Sequence, residues 1–303
     1  MSNYYQKGSV AKDHLEPYEN LHLTEEEIAE KYNSAQETFG FIDPDKMIAY
    51  ANALYLINNP DSETDIYKAN GYNRPVTDFK GLLKGGNLKL SNDIDDTYTI
   101  SFKEDTKLDL NGKSISSTLS DTNSLQIAID GCNVTVSNGT IKDPVVIFPT
   151  SQTDHVVFQT NNGSVLTVNN LNIESDHVFW ANEGTTIIIN SGDYKASQYG
   201  NVAYSVGGKI IINGGTFEEY NAGQKSNDVG VLNIQDSYTK IENAKPTDYI
   251  EVFGGRFIKY NPANVTKEPG FGLEYVSYVA EGYESVEVEE NVWEVRKIED
   301  IQE

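Results

Sequence analysis

Eight residues constrain the fold of this chain more than any others: Ile210-Ile211-Ile212-Asn213-Gly214-Gly215-Thr216-Phe217. Three apolar β-formers run into an Asn-Gly-Gly turn, and a strand restarts after it. The same local grammar recurs as Leu108-Asp109-Leu110-Asn111-Gly112, Val134-Thr135-Val136-Ser137-Asn138-Gly139 and Leu166-Thr167-Val168-Asn169-Asn170. It returns as Ile187-Ile188-Ile189-Asn190-Ser191-Gly192 and Glu251-Val252-Phe253-Gly254-Gly255-Arg256-Phe257. A single apolar residue follows each turn: Ile115, Ile141, Ile173, Tyr194, Phe217 and Phe257. Measured between the last apolar residues before the turns (110, 136, 168, 189, 212, 252), the steps are 26, 32, 21, 23 and 40. Self-similarity at a short period with insertions predicts an all-β solenoid of stacked repeats. Rungs are expected over roughly 88–275, with Val, Ile, Leu and Phe ladders inside and left-handed backbone at the Asn and Gly turns. Strands stacked at about 4.8 Å would give a rod on the order of 40 Å long.

The remaining segments must attach to that stack or close its ends. Residues 1–22 carry Tyr4, Tyr5 and Tyr18 without helical or alternating periodicity and read as an extended arm. Amphipathic aromatics anchor interfaces, so these tyrosines are candidates for attachment to a partner. Thr24-Glu25-Glu26-Glu27 is a capping box opening a helix, and Asp43-Pro44 starts a second, with Met47, Tyr50, Ala51, Leu54 and Ile57 on one face. A two-helix unit this short buries little by itself and calls for a partner surface. Residues 61–77 read as a polar connection, and Asp78–Gly86 as an amphipathic cap over an open rung. At the far end, Tyr283–Val295 alternates about a turn at Glu290-Asn291, which predicts a capping β-hairpin. The expected organisation is an attachment region over 1–75 and the stack with its caps over 76–303.

Charge narrows the partners. Forty-six acidic against 23 basic residues give a net charge of −23, which repels phosphate backbones and disfavours nucleic acid. Arginine occurs only at 74, 256 and 296, too sparsely for bidentate clamping of anionic substrates. No apolar run approaches membrane-spanning length, and the first residues lack the basic-then-apolar pattern of a secretory signal. No cofactor is expected. The single cysteine, Cys132, sits in a strand-like run and reads as a buried structural thiol.

The runs Leu83–Ile94 and Thr106–Ile115 resemble the opening of right-handed parallel β-helix proteins of the pectate-lyase-like class. Ile212–Phe217, Gly254–Phe257 with Tyr260–Ala263, and Tyr278–Tyr283 resemble the late rungs and closure of a subgroup from bacteriophage virions and prophages. That resemblance covers about residues 78–298. It implies a right-handed parallel β-helix, and it is compatible with lyases, hydrolases, tailspikes, adhesins and plain fibres.

Thr153-Asp154-His155 and Ser175-Asp176-His177 stand 22 residues apart, one rung's length. At equivalent corners Asp154 would stack near Asp176, and His155 near His177, at roughly 5 Å. Paired carboxylates at that distance suit a retaining glycosidase, and the histidines alone fall short of a zinc ligand set. The competing reading is that aligned Asp-His pairs cap successive turns. Asp93, Asp95 and Asp96 offer calcium-type oxygens or simply an acidic turn. A lyase would want a basic residue facing the groove, and Arg256, the one arginine within the rungs, sits in a turn motif. Trp180, Tyr194, Tyr199 and Tyr204 are candidates for stacking on sugar, although strand alternation should turn about half of them inward.

The expectation drawn from residues and resemblance together is a non-enzymatic phage structural protein on the virion surface. It would be a capsid-attached head fibre or related fibre, a homotrimer held through residues 1–75, with its β-helix projecting toward host surface glycans. The alternatives are a tailspike-like glycan depolymerase working through Asp154 and Asp176, or a non-catalytic carbohydrate-binding adhesin.

Overall fold

The computed structural model describes residues 74–76, 85–94, 99–116, 125–142, 156–197, 200–219, 230–266 and 271–298. The expected arm with Tyr4, Tyr5 and Tyr18, the two expected helices and most of the expected N-terminal cap lie outside the described residues, as do Asp95, Asp96, Asp154, His155 and Tyr199.

The first strands are β1 (Arg74–Val76), β2 (Gly86–Leu90), β3 (Thr99–Phe102), β4 (Thr106–Asp109) and β5 (Ser114–Ser116). They are followed by β6 (Gln126–Asp130), β7 (Asn133–Lys142), β8 (Val156–Asn161), β9 (Val165–Ser175) and β10 (His177–Asn182). Next come β11 (Thr186–Ile189), β12 (Gly192–Ala196), β13 (Ala203–Val206), β14 (Lys209–Ile212), β15 (Thr216–Glu219) and β16 (Leu232–Ile234). Two one-turn helices, α1 (Asp236–Thr239) and α2 (Pro246–Tyr249), precede β17 (Ile250–Val252) and β18 (Gly255–Ile258), and β19 (Tyr283–Glu289) and β20 (Val292–Lys297) end the described chain.

These strands form an all-β arrangement of two sheets, one of 14 strands and one of six. In the smaller, the order β16-β13-β10-β8-β6-β3 is parallel throughout. The larger sheet has two parallel rows. Strands β11, β14 and β17 pair in one row and β12, β15 and β18 in the other. The long strands β7 and β9 run through both rows. Each repeat therefore adds one segment to the six-stranded sheet and two to the larger, with the Asn-Gly turn as the bend between the two.

That bend needs left-handed backbone, and Asn111, Asn138 and Asn170 adopt it with φ of 53°, 60° and 52°. Amide side chains then bond along the stack: Asn213 Nδ2 donates to Asn190 Oδ1 at 2.8 Å, and Asn190 Nδ2 to Asn169 Oδ1 at 2.8 Å.

The apolar residues expected after each turn are consecutive register partners: Ile115, Ile141, Ile173, Tyr194, Phe217 and Phe257. Phe217 and Phe257 stack with ring centroids 4.9 Å apart. Each such large side chain removed from water contributes about 1.5–3 kcal/mol, so the ladder is a main source of stability. The steps of 32, 21, 23 and 40 are the pairings Val136↔Val168, Val168↔Ile189, Ile189↔Ile212 and Ile212↔Val252.

Three boundaries differ from expectation. Val136 pairs with Leu108, not Leu110. Leu110 is also buried, and its Cβ occupies the space that a side chain on Gly139 would need. The expected polar connection contains β1, which pairs in parallel with β2, so the stack begins one strand earlier. The last parallel strand ends at Ile258, and β20 then closes onto β18 antiparallel as half of the expected hairpin. Arg256 ties that closure, with Nη2 2.7 Å from Glu289 and Nη1 3.3 Å from Glu294. Cys132 is buried and donates from Sγ to the carbonyl of Phe102 at 3.3 Å. Among the described residues no helix is long and apolar enough to cross a membrane.

Candidate functional site

Two places concentrate chemistry: the corner that opens β10, and the outward face of the six-stranded sheet.

At the corner, Asp176 is fully buried and accepts a short hydrogen bond from Ser197 Oγ. His177 is also buried, and its Nδ1 accepts the Asn201 backbone N–H at 3.1 Å. In the neutral ring that bond places the proton on Nε2. Asn201 carries the link onward, donating from Nδ2 to the Gly230 carbonyl at 2.6 Å. The packing is tight enough that a methyl on Gly200 would stand 1.6 Å from the Asp176 carbonyl oxygen. Three successive passes of the chain are thus joined by buried polar groups, which need such partners once removed from water.

The register there corrects the spacing argument. His177 pairs with Val156, Phe179 with Phe158 and Trp180 with Gln159, so β8 and β10 are offset by 21 residues instead of 22. Asp154 and His155, the expected partners of Asp176 and His177, precede β8 and lie outside the described residues. Core stacking explains the choice, because Phe158 and Phe179 lie parallel at 5.8 Å. A one-residue slip would turn those rings to the opposite face.

Of the expected sugar-stacking residues, Tyr194 belongs to the core. It is 2% exposed, packs edge-on against Phe179 at 5.1 Å and donates its hydroxyl to the Ser191 carbonyl. Burial and the Asp193 charge push its phenol far above the usual range. Trp180 and Tyr204 lie half-buried on the outward face of adjacent strands, in direct register. Their rings meet edge to face at 4.7 Å, with His177 against the indole at 5.9 Å. The outward column through them reads Ser101, Ala128, Gln159, Trp180, Tyr204 and Asn233. Gln126 Nε2 braces Gln159 Oε1 at 2.8 Å.

Beside this column a groove of about 440 Å³ opens along the next outward row, lined by Asp130, Asn161, Asn162, Asn182, Glu183 and Tyr238 among others. Trp180 Nε1 donates to Asn182 Oδ1 at 3.1 Å, and Asn182 Nδ2 donates to Asn161 Oδ1 at 2.7 Å. Asn162 Nδ2 is held by Asp130 Oδ1. Tyr238 comes from α1, inside the 40-residue step, and its ring lies where a side chain on Gly207 would be, 2.5 Å from the methyl position. Burial, then the Glu183 charge and a hydrogen bond to Glu183, raise the Tyr238 phenol above its ordinary value, keeping it a donor.

Sequence reasoning missed this groove. The available signal was the pair Asn161-Asn162-Gly163 and Asn182-Glu183-Gly184, 21 residues apart, together with the insertion that supplies Tyr238. Elsewhere, Asp93 Oδ1 accepts from Ser114 N at 2.7 Å and Ser114 Oγ at 3.1 Å, which accounts for that carboxylate as a turn brace. Among the described residues no group of three or more His, Cys, Asp or Glu side chains is placed to hold a metal ion.

Comparison with family models, with curated proteins and with solved structures gave no match to this chain. Its chemistry must be read from these side chains.

Proposed function

We propose that the chain is a non-catalytic structural fibre of a bacteriophage particle, a right-handed parallel β-helix that meets host glycans through its six-stranded sheet. The observation that carries the non-catalytic reading is the sealing of Asp176. A retaining glycosidase needs two carboxylates about 5 Å apart at the scissile bond, whereas this one is fully buried and bonded to Ser197.

Support for the helical winding comes from the three-segment repeat and from the strong right-handed preference of crossovers between parallel strands, about 98%. The assignment to a virion rests on the resemblance of the rung and closure motifs. Attachment through residues 1–75 rests on the arm, tyrosines and short helices expected from the sequence, and trimer formation on the resemblance to phage fibres. The contact role of Trp180 and Tyr204 rests on their exposure in register on one face.

The test uses the full-length protein and purified capsular polysaccharide of the host. Binding without new reducing ends or unsaturated products is expected, and either product would overturn the non-catalytic reading. Trp180→Ala with Tyr204→Ala should weaken binding about tenfold, the scale of losing aromatic stacking. Unchanged affinity would remove this face from the contact. In particles imaged by electron cryo-microscopy, the rod is expected to meet the shell through residues 1–75, and docking through β19 and β20 would reverse the polarity.

A further inference from the structure

The groove beside Trp180 carries a more specific inference, which rests on the reading of this sheet as the saccharide-contacting face: we infer that it is a site for an uncharged saccharide, and that it rejects uronate-rich and other acidic glycans.

A groove of about 440 Å³ falls within the range of roughly 300–1,000 Å³ common for small-molecule sites. It is built rather than incidental, because one wall is imported. Tyr238 arrives on an insertion, settles on Gly207 and lines the groove together with Glu183.

Donors and acceptors in the lining fit hydroxyl groups. The Trp180–Asn182–Asn161 relay fixes both amide planes, so their orientation is set before a ligand arrives. Asn182 Oδ1 and Asn161 Oδ1 are engaged as acceptors, and both amides line the groove, where their N–H groups supply donors. Asp130 and Glu183 supply acceptors, and the Tyr238 hydroxyl supplies a further polar group. Alternating donors and acceptors in fixed planes match hydroxyl groups, each of which both donates and accepts. Next to the lining residue Asn182, the Trp180 indole, held by its N–H bond to Asn182 Oδ1, offers an apolar surface for ring C–H groups.

Charge selects against acidic ligands. Among the described residues the lining holds two carboxylates and no Lys or Arg, on a chain of net charge −23. A phosphate, sulfate or uronate would enter against like charge in a partly desolvated cleft, with no cation to neutralise it. A neutral hexose chain meets the same carboxylates as hydrogen-bond acceptors, where charged acceptors bind more strongly than neutral ones.

The experiment is titration calorimetry of the full-length protein with maltohexaose, cellohexaose, xylohexaose, mannohexaose and hexagalacturonate. At least one neutral hexaose should bind while hexagalacturonate does not. The shape-conserving double variant Asp130→Asn, Glu183→Gln should weaken the neutral ligand about tenfold while leaving the denaturation midpoint in place. Silence from every neutral probe overturns the inference, as does hexagalacturonate binding as tightly as any of them. Neutral binding that survives the double variant but is lost in Trp180→Ala also overturns the groove, and in that case the broader reading of the sheet face stands.

Discussion

The two rows of the large sheet and the outward face of the small sheet are built from the same repeats, yet they treat their residues oppositely. In the rows, equivalent positions carry equivalent side chains. Ile115, Ile141 and Ile173 follow one another, then Tyr194, Phe217 and Phe257, while Asn169, Asn190 and Asn213 bond in line outside. On the small sheet's outer face the equivalent positions change at every strand: Ser101, Ala128, Gln159, Trp180, Tyr204, Asn233. Repetition here is architecture, because each rung must offer the next the same shape and the same hydrogen-bonding edge. Departure from repetition marks places released from that duty. The groove lies at such a departure, with Tyr238 supplied by the longest insertion between turns.

The contrast is open to breaking by substitution. A matched pair gives the largest effect. Phe217→Ala should cost about 3–5 kcal/mol in denaturant unfolding, since it empties a stacked, fully buried ring site. Trp180→Ala, at a half-buried outward position, should cost less than half as much. Equal losses from the two would erase the distinction between ladder and face.

Gly200→Ala comes next, at about 2 kcal/mol or more, because the added methyl collides with the Asp176 carbonyl. A neutral outcome would mean that the Asp176–Asn201 corner yields easily, and that its buried groups do not bind the repeats together. Asn190→Ala should cost about 1 kcal/mol, since it removes the middle of an amide ladder whose two neighbours then face each other across a gap. Thermal melting that is unmoved would show the ladder to be a consequence of stacking only.

The smallest effect concerns pH. Backbone and hydroxyl hydrogen bonds from Ser114 hold the Asp93 carboxyl below its ordinary value near 3.8. A depressed carboxylate contributes stability that is present above the unfolded value and is lost as pH falls through the folded one. Asp93→Asn should therefore lower stability slightly at neutral pH and flatten its decline below about pH 4. Parallel acid-unfolding curves for the two proteins would exclude Asp93 from that decline.

Much of the fold could be read before any coordinates. Local chemistry repeats along the chain, and a bend that requires φ near +60° selects Asn and Gly wherever it occurs. The residues after each bend form a ladder that is legible in the sequence because a buried, one-sided position accepts only apolar side chains. The hairpin from Tyr283 was readable for the same reason, from alternation about Glu290-Asn291. The site was far less visible. Tyr194 and Trp180 look alike as large aromatics, yet one fills the core and the other faces outward. Asp176 looked like half of an acid pair, and its burial against Ser197 and Gly200 has no local signature.

By itself, then, the sequence determined that strands recur, where they bend and which side chains stack inside, since these follow from backbone preference and hydrophobic pattern within a few residues. Tertiary structure alone decided the offset of 21 between β8 and β10, which stacks Phe158 on Phe179. It also brought Tyr238 across an insertion to Glu183, beside amides from two earlier strands. Register and long-range approach depend on interactions between residues far apart in the chain, and no short window contains them.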